Sequence, residues 1–139
     1  MKEANMQKFF ADYLQEHLPE SNEVYELKMT SGNSIRFDAV KEHQIENLQK
    51  AEQGTFYYRI IDQPWIAERK WAFQLKKPFD CFCIAKSKAY IVVWFYVPRT
   101  PKKFIKIKIH DFLQMKKYSE RKSFTEDMAI DFCEEVLEI

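Results

Sequence analysis

Two charged residues spaced one apart, Glu26 and Lys28, carry the first chemistry the chain offers. In Val24-Tyr25-Glu26-Leu27-Lys28-Met29, strand alternation places Val24, Glu26 and Lys28 on one face and Tyr25, Leu27 and Met29 on the other. A carboxylate and an ammonium side by side can hold a hard divalent cation with the first and a substrate phosphate with the second. The same pair also reads as a solvated charge couple on a half-exposed strand, because most charged side chains are exposed. Similar spacings at Glu68 to Lys70 and Glu120 to Lys122 mean that the tripeptide alone does not decide between the two.

Other polar side chains stand where neighbouring elements can bring them to this pair. Glu3 precedes Met6 by three residues and Phe10 by seven, so on a helix it projects from the rim of the apolar stripe. It can reach a buried site, or it is an acid favoured by the dipole of the first helical turn. Asp80, Phe82 and Ile84 share one strand face, which sets a carboxylate above apolar residues. Such a group is costly unless paired, hydrogen-bonded or metal-bound. His43 and Gln44 sit at the edge of a helix whose apolar face holds Ile45, and either can look inward toward the 24–29 strand.

The elements that position these groups can be read in order. Spacing predicts a helix over 3–17, with Met6, Phe9, Phe10, Tyr13 and Leu14 as its stripe and Pro19 beyond its end. After the 24–29 strand, turn residues 30–34 lead to a brief extended piece at 35–37. Asp38 is then expected to cap a helix over 39–53 that buries Val40, Ile45, Leu48 and Ala51 and stops at Gly54. The aromatic run 55–61 has the pattern of a central strand covered on both faces, so strand, helix and strand together suggest a right-handed parallel crossover. Residues 62–77 form a long connection that interleaves Trp65, Trp71 and Phe73 with Arg69, Lys70, Lys76 and Lys77. Rings and cations so mixed suit stacking on bases and contact with phosphates, or the tryptophans plug the core. A hairpin is expected from 81–85 and 89–97. Beyond it come a turn carrying Arg99, Lys102 and Lys103, and a strand at 104–109 whose Lys106 and Lys108 either guard a sheet edge or bind phosphate. A helix at 110–118 and an acidic final helix with a Ser123/Glu126 capping box complete the chain.

Composition narrows the class. A chain of 139 residues, 46% hydrophobic and 16% aromatic, with 2 glycines and 5 prolines, is expected to form one domain over 1–139 with a substantial core. No apolar run reaches the roughly 18 residues of a membrane span, and the first residues lack the apolar stretch of a signal peptide, which leads to a cytoplasmic expectation with no membrane partner. Three cysteines without a Cys-x-x-Cys pair or clustered histidines read as reduced thiols rather than a zinc site. The net charge of +1 hides a segregation: residues 64–122 hold 15 Lys and Arg against 4 Asp and Glu, whereas 123–139 hold 6 acids and no base. The basic middle is compatible with a polyanion, since screening makes charge local on a scale of about 8 Å, and equally with a solvated face.

Taken together, the Glu26-x-Lys28 strand, the His43-Gln44 helix, the aromatic strand and Pro78-Phe79-Asp80 resemble the PD-(D/E)xK nuclease superfamily, and within it Holliday-junction resolvase-like proteins. The resemblance runs over roughly residues 3–97. It implies an α/β fold, a mixed β-sheet flanked by α-helices of the restriction-endonuclease-like kind, and a magnesium- or manganese-dependent endonuclease acting on DNA, including branched substrates, with a homodimer among its assemblies. It further implies that Glu26, Asp80 and Glu3 are metal ligands, that Lys28 positions or activates the attacking water, and that Gln44 supports the site. Arg69, Lys70, Lys76, Lys77, Arg99, Lys102 and Lys103 are the expected DNA contacts. The chain departs from the family pattern in placing Asp80 after the Glu-x-Lys strand, and Ile91-Val92-Val93 stands where the usual hairpin carries that motif. The alternative expectation is a nuclease-fold module that binds nucleic acid without cutting it.

Overall fold

The computed structural model describes residues 3–17, 22–59 and 81–139. Its main sheet has four strands in the order β1 (Glu23–Thr30), β5 (Lys88–Phe95), β6 (Lys103–Lys108) and β8 (Glu135–Glu138). β1 and β5 are parallel, and the β5–β6 and β6–β8 pairs are antiparallel, so the sheet is mixed. Two short ladders stand beside it: β2 (Ser34–Arg36) with β7 (Ser123–Thr125), and β3 (Thr55–Arg59) with β4 (Cys81–Ala85).

Helices cover both faces. On one, Met6 and Phe10 of α1 (Glu3–His17) pack on Tyr90, Val92, Trp94, Phe104 and Leu137. On the other, α2 (Glu42–Gln53), α3 (Ile109–Tyr118) and α4 (Glu126–Phe132) bring Ile45, Leu48, Phe112, Met115 and Ala129 against Ile91, Val93, Ile105 and Ile107. Because β5 is covered on both sides, its apolar residues run unbroken from Ala89 to Phe95, and all of them are buried. The result is a mixed α/β fold with a mixed sheet flanked by helices. Among the described residues no helix is long and apolar enough to cross a membrane.

Several expected pairings are corrected. The interior strand beside β1 is β5, whereas β3, the described part of the 55–61 run, lies in a separate two-stranded ladder, so β1, α2 and β3 do not form a crossover within one sheet. An unbroken apolar run signals a strand buried on two faces, and two segments of this chain carry that signal. Nor do 81–85 and 89–97 form a hairpin. β4 pairs with β3, and the link between β4 and β5 is tied to the end of α2, with the Lys86 N–H donating to the Gly54 carbonyl at 3.0 Å and Ser87 N–H to that of Ala51 at 3.0 Å. Lys86 takes a left-handed φ of 47° there, as the chain leaves one ladder for the other sheet.

Two helix boundaries also move. The 39–53 helix begins at Glu42 with Lys41 as its N-cap residue; Asp38 lies in a preceding 3-10 turn (Phe37–Ala39) and bonds Arg36 instead of capping. The final acidic helix divides into α4, capped by Thr125 Oγ1 accepting from the Met128 N–H at 3.4 Å, and β8. Ser123 belongs to β7. β8 joins the sheet because Leu137 can then be buried while Glu135 and Glu138 lie opposite Lys106 and Lys103 of β6. β6 is accordingly an interior strand, and Lys106 is 5% exposed rather than an edge guard.

Candidate functional site

Among the described residues β1 is one of the two edge strands of the sheet, and its 24–26–28 face is the one that meets α2. Glu26 and Lys28 stand opposite Ile91 and Val93 of β5, so the two charges lie over an apolar sheet beside a helix end. Lys28 Nζ is 3.0 Å from Glu26 Oε1, and the two side chains are 17% and 25% exposed. The pair is therefore neither a fully solvated couple nor a sealed one.

Gln44 completes the arrangement from α2, as its Nε2 donates to the same Glu26 Oε1 at 2.8 Å. Its own Oε1 accepts from the Lys41 N–H at 2.8 Å, so one side chain satisfies an orphan amide at the helix start and steers a carboxylate on the neighbouring strand. The amide is thus locked at both ends. The N-terminal turn of α2 adds a positive partial charge on the side of Glu26. His43, the other inward candidate, is exposed. The structure brings Glu26, Lys28 and Gln44 together around one oxygen atom.

Glu26 has the donor chemistry of a hard-cation ligand and is open enough to be reached, so the residues fit a divalent ion to the extent of one carboxylate. Among the described residues no group of three or more His, Cys, Asp or Glu gathers to hold a metal. Asp80 lies outside the described residues, and so does the side chain of Glu3 at the start of α1.

The expected DNA contacts divide similarly. Arg69, Lys70, Lys76 and Lys77 lie outside the described residues. Arg99 is exposed in the turn after β5, with a left-handed φ of 63°. Lys102 sits over the Phe9 ring at 4.3 Å, and Lys103 pairs with Glu126 at 3.3 Å, so both are engaged within the fold.

Internal pairing absorbs much of the charge segregation seen in the sequence. Lys108 approaches Glu134 at 3.8 Å, and Lys106 is 3.1 Å from Glu23 and 3.9 Å from Glu135. On the α1 face Lys106 also lies over the Tyr90 ring at 4.2 Å, while the Tyr25 hydroxyl donates to Glu23. Burial, reinforced by a hydrogen bond to Glu134 and by the charges of Glu134, Glu23 and Tyr25, raises the Tyr90 phenol well above its ordinary range. This buried ionic cluster was not singled out by the sequence reading; the only sign of it was the lysine alternation in β6. A comparison with protein-family models, curated proteins and solved structures finds no match to the chain.

Proposed function

We propose that the chain is a divalent-metal-dependent endonuclease of the restriction-endonuclease-like fold, cutting DNA, branched DNA included, in the cytoplasm. One observation carries the reading: Lys28 Nζ and Gln44 Nε2 converge on Glu26 Oε1, although Gln44 lies 18 residues away in sequence. A merely solvated charge pair has no need of a helix-anchored amide.

In this reading Glu26 holds magnesium or manganese with Asp80 as the expected second ligand, whereas α1, which carries Glu3, packs on the opposite face of the sheet and makes Glu3 the weakest member of the expected set. The ion, when bound, polarises the scissile phosphate and acidifies a water. Lys28 stabilises negative charge on the attacking or non-bridging oxygens, and its half-buried setting strengthens that interaction relative to water. Gln44 keeps the Glu26 carboxylate in one orientation, which spares the site that reorganisation during the reaction. Arg99 remains available to a DNA strand among the described cations of the expected set.

A second reading, a nuclease-fold module that binds DNA without cutting it, is favoured by one observation, the single carboxylate that the described residues bring to Lys28. Nicking of a four-way junction and of a linear duplex, with magnesium, manganese or chelator, separates the two. Metal-dependent cleavage supports the endonuclease. Binding without cleavage in either metal assigns the module.

A further inference from the structure

A second concentration of charge lies on the α2/α3 side of the sheet, at residues outside the expected metal-ligand and DNA-contact set. Arg36, Phe37, Asp38, Lys116, Arg121 and Lys122 line a cavity of about 270 Å³. Its cations come from three separate segments: the end of β2, the last turn of α3 and the 119–122 loop. Arg36 is committed to Asp38 through two bonds, Nε to Oδ1 at 3.0 Å and Nη2 to Oδ2 at 2.7 Å, and the Arg36 guanidinium holds that carboxyl below its ordinary range. The acid of the cavity is thus neutralised within the fold. Lys116, Arg121 and Lys122 make no ion pair among the described residues.

The backbone that presents them is fastened. The Phe37 N–H donates to the Lys122 carbonyl at 3.0 Å, next to the β2–β7 ladder. Ser119 Oγ accepts from the Arg121 N–H at 3.2 Å and donates to the Arg121 carbonyl at 3.4 Å. Phe37, 4% exposed, forms an apolar wall. Like charges gathered around a concave, partly apolar surface repel one another unless they share an anion, and such a surface focuses the field on that anion. An arginine fork beside two lysines matches the oxygens of a phosphate.

A chain of interactions at the start of α2 links the cavity to the first site. Lys41, whose charge acts on Asp38, is the residue whose N–H is held by Gln44, and Gln44 in turn holds Glu26. The geometry points to a phosphate subsite in which Lys116, Arg121 and Lys122 grip a backbone phosphate of the DNA that Glu26 and Lys28 act on. That the phosphate belongs to DNA rests on the endonuclease reading; that the subsite takes a phosphate rests on three cations gathered on one cavity that make no ion pair among the described residues.

The test is the binding of a short fluorescein-labelled duplex to the full chain across a salt series, for wild type, Arg121→Glu/Lys122→Glu and Arg121→Gln/Lys122→Gln. Inorganic phosphate is titrated separately, and circular dichroism checks folding. The altered side chains are exposed, so the fold is expected to persist. The charge reversal should weaken duplex binding at least about 10-fold and flatten the slope of log affinity against log salt by about 1, the share of the one phosphate held there, with a smaller loss of affinity for the glutamine variant. Unchanged affinity and slope in both folded variants would overturn the subsite. Tight inorganic phosphate binding by a wild type that binds no duplex, lost on charge reversal, would overturn the DNA assignment in favour of free phosphate. Cleavage is scored apart from binding: a wild type that binds through these residues and cuts nothing keeps the subsite and removes the endonuclease. Cleavage by a wild type whose binding ignores them does the reverse.

Discussion

Gln44 on α2 and Glu26 on β1 are joined by a 2.8 Å hydrogen bond between an amide nitrogen and a carboxylate oxygen that already meets Lys28 at 3.0 Å. The bond ties the orientation of a charged strand residue to the start of a helix. Gln44→Ala should cost about 1 to 2 kcal/mol of stability, at the low end for a bond to a charged group because the site is partly exposed. Urea unfolding of the variant measures this. Gln44→Glu should cost more, since it places a second carboxylate against Glu26; equal stability of the two variants would show that the amide does not act through that oxygen.

Lys28→Ala separates chemistry from binding. Duplex affinity should stay within a few-fold of wild type because phosphate contacts are distributed. Cleavage should fall about 100- to 1000-fold, the usual effect of losing one positioned electrostatic stabiliser. Single-turnover rates with saturating enzyme read this loss directly. A variant that cuts as fast as wild type would remove Lys28 from the mechanism.

Lys106 and Glu23 form the most buried ion pair among the described residues, 3.1 Å apart with side chains 6% and 12% exposed. Lys106→Ala should destabilise the fold by about 3 to 5 kcal/mol, as it leaves a carboxylate buried without its partner. Lys106→Met with Glu23→Gln should recover much of that loss, because no charge is then stranded. Chemical denaturation of the single and double variants tests the difference.

Tyr90 gives a pH dependence with a definite sign. Burial, first, and then the hydrogen bond and charge of Glu134 keep its phenol protonated in the folded chain above the ordinary value of 10.0. The unfolded chain releases that proton first, so the contribution is intact below pH 10 and is lost as pH rises from there toward the folded value. Stability should fall by up to about 1.4 kcal/mol per pH unit from this group alone. Tyr90→Phe keeps the ring beneath Lys106, 4.2 Å from its Nζ, and should lessen the alkaline slope. Identical slopes above pH 10 in the two proteins would contradict the assignment.

Local signals read well wherever one element answers to one pattern. The apolar stripe of α1, the Gly54 stop of α2, its buried Ile45, Leu48 and Ala51, and the face shared by Glu26 and Lys28 were all legible in spacing. The inward turn of Gln44 was legible as one of two options, and tertiary packing chose it by engaging both ends of the amide. Misreadings arose where two segments offered the same pattern. The runs 55–61 and 89–95 both look like central strands, and 81–85 could pair with either neighbour.

The sequence by itself determined residue chemistry, strand faces and helix stripes, because these follow from covalent order and the periods of 2 and 3.6. Only the tertiary structure decided that β5 lies beside β1, that the acidic end of the chain forms β8 along β6, and that Lys103, Lys106 and Lys108 meet acids from distant segments. The same is true of the cavity around Lys116, Arg121 and Lys122, whose lining comes from three separate stretches. Long-range pairing depends on which faces bury the most apolar surface together while leaving the fewest charges unpaired. That balance belongs to the whole chain, and no local window contains it.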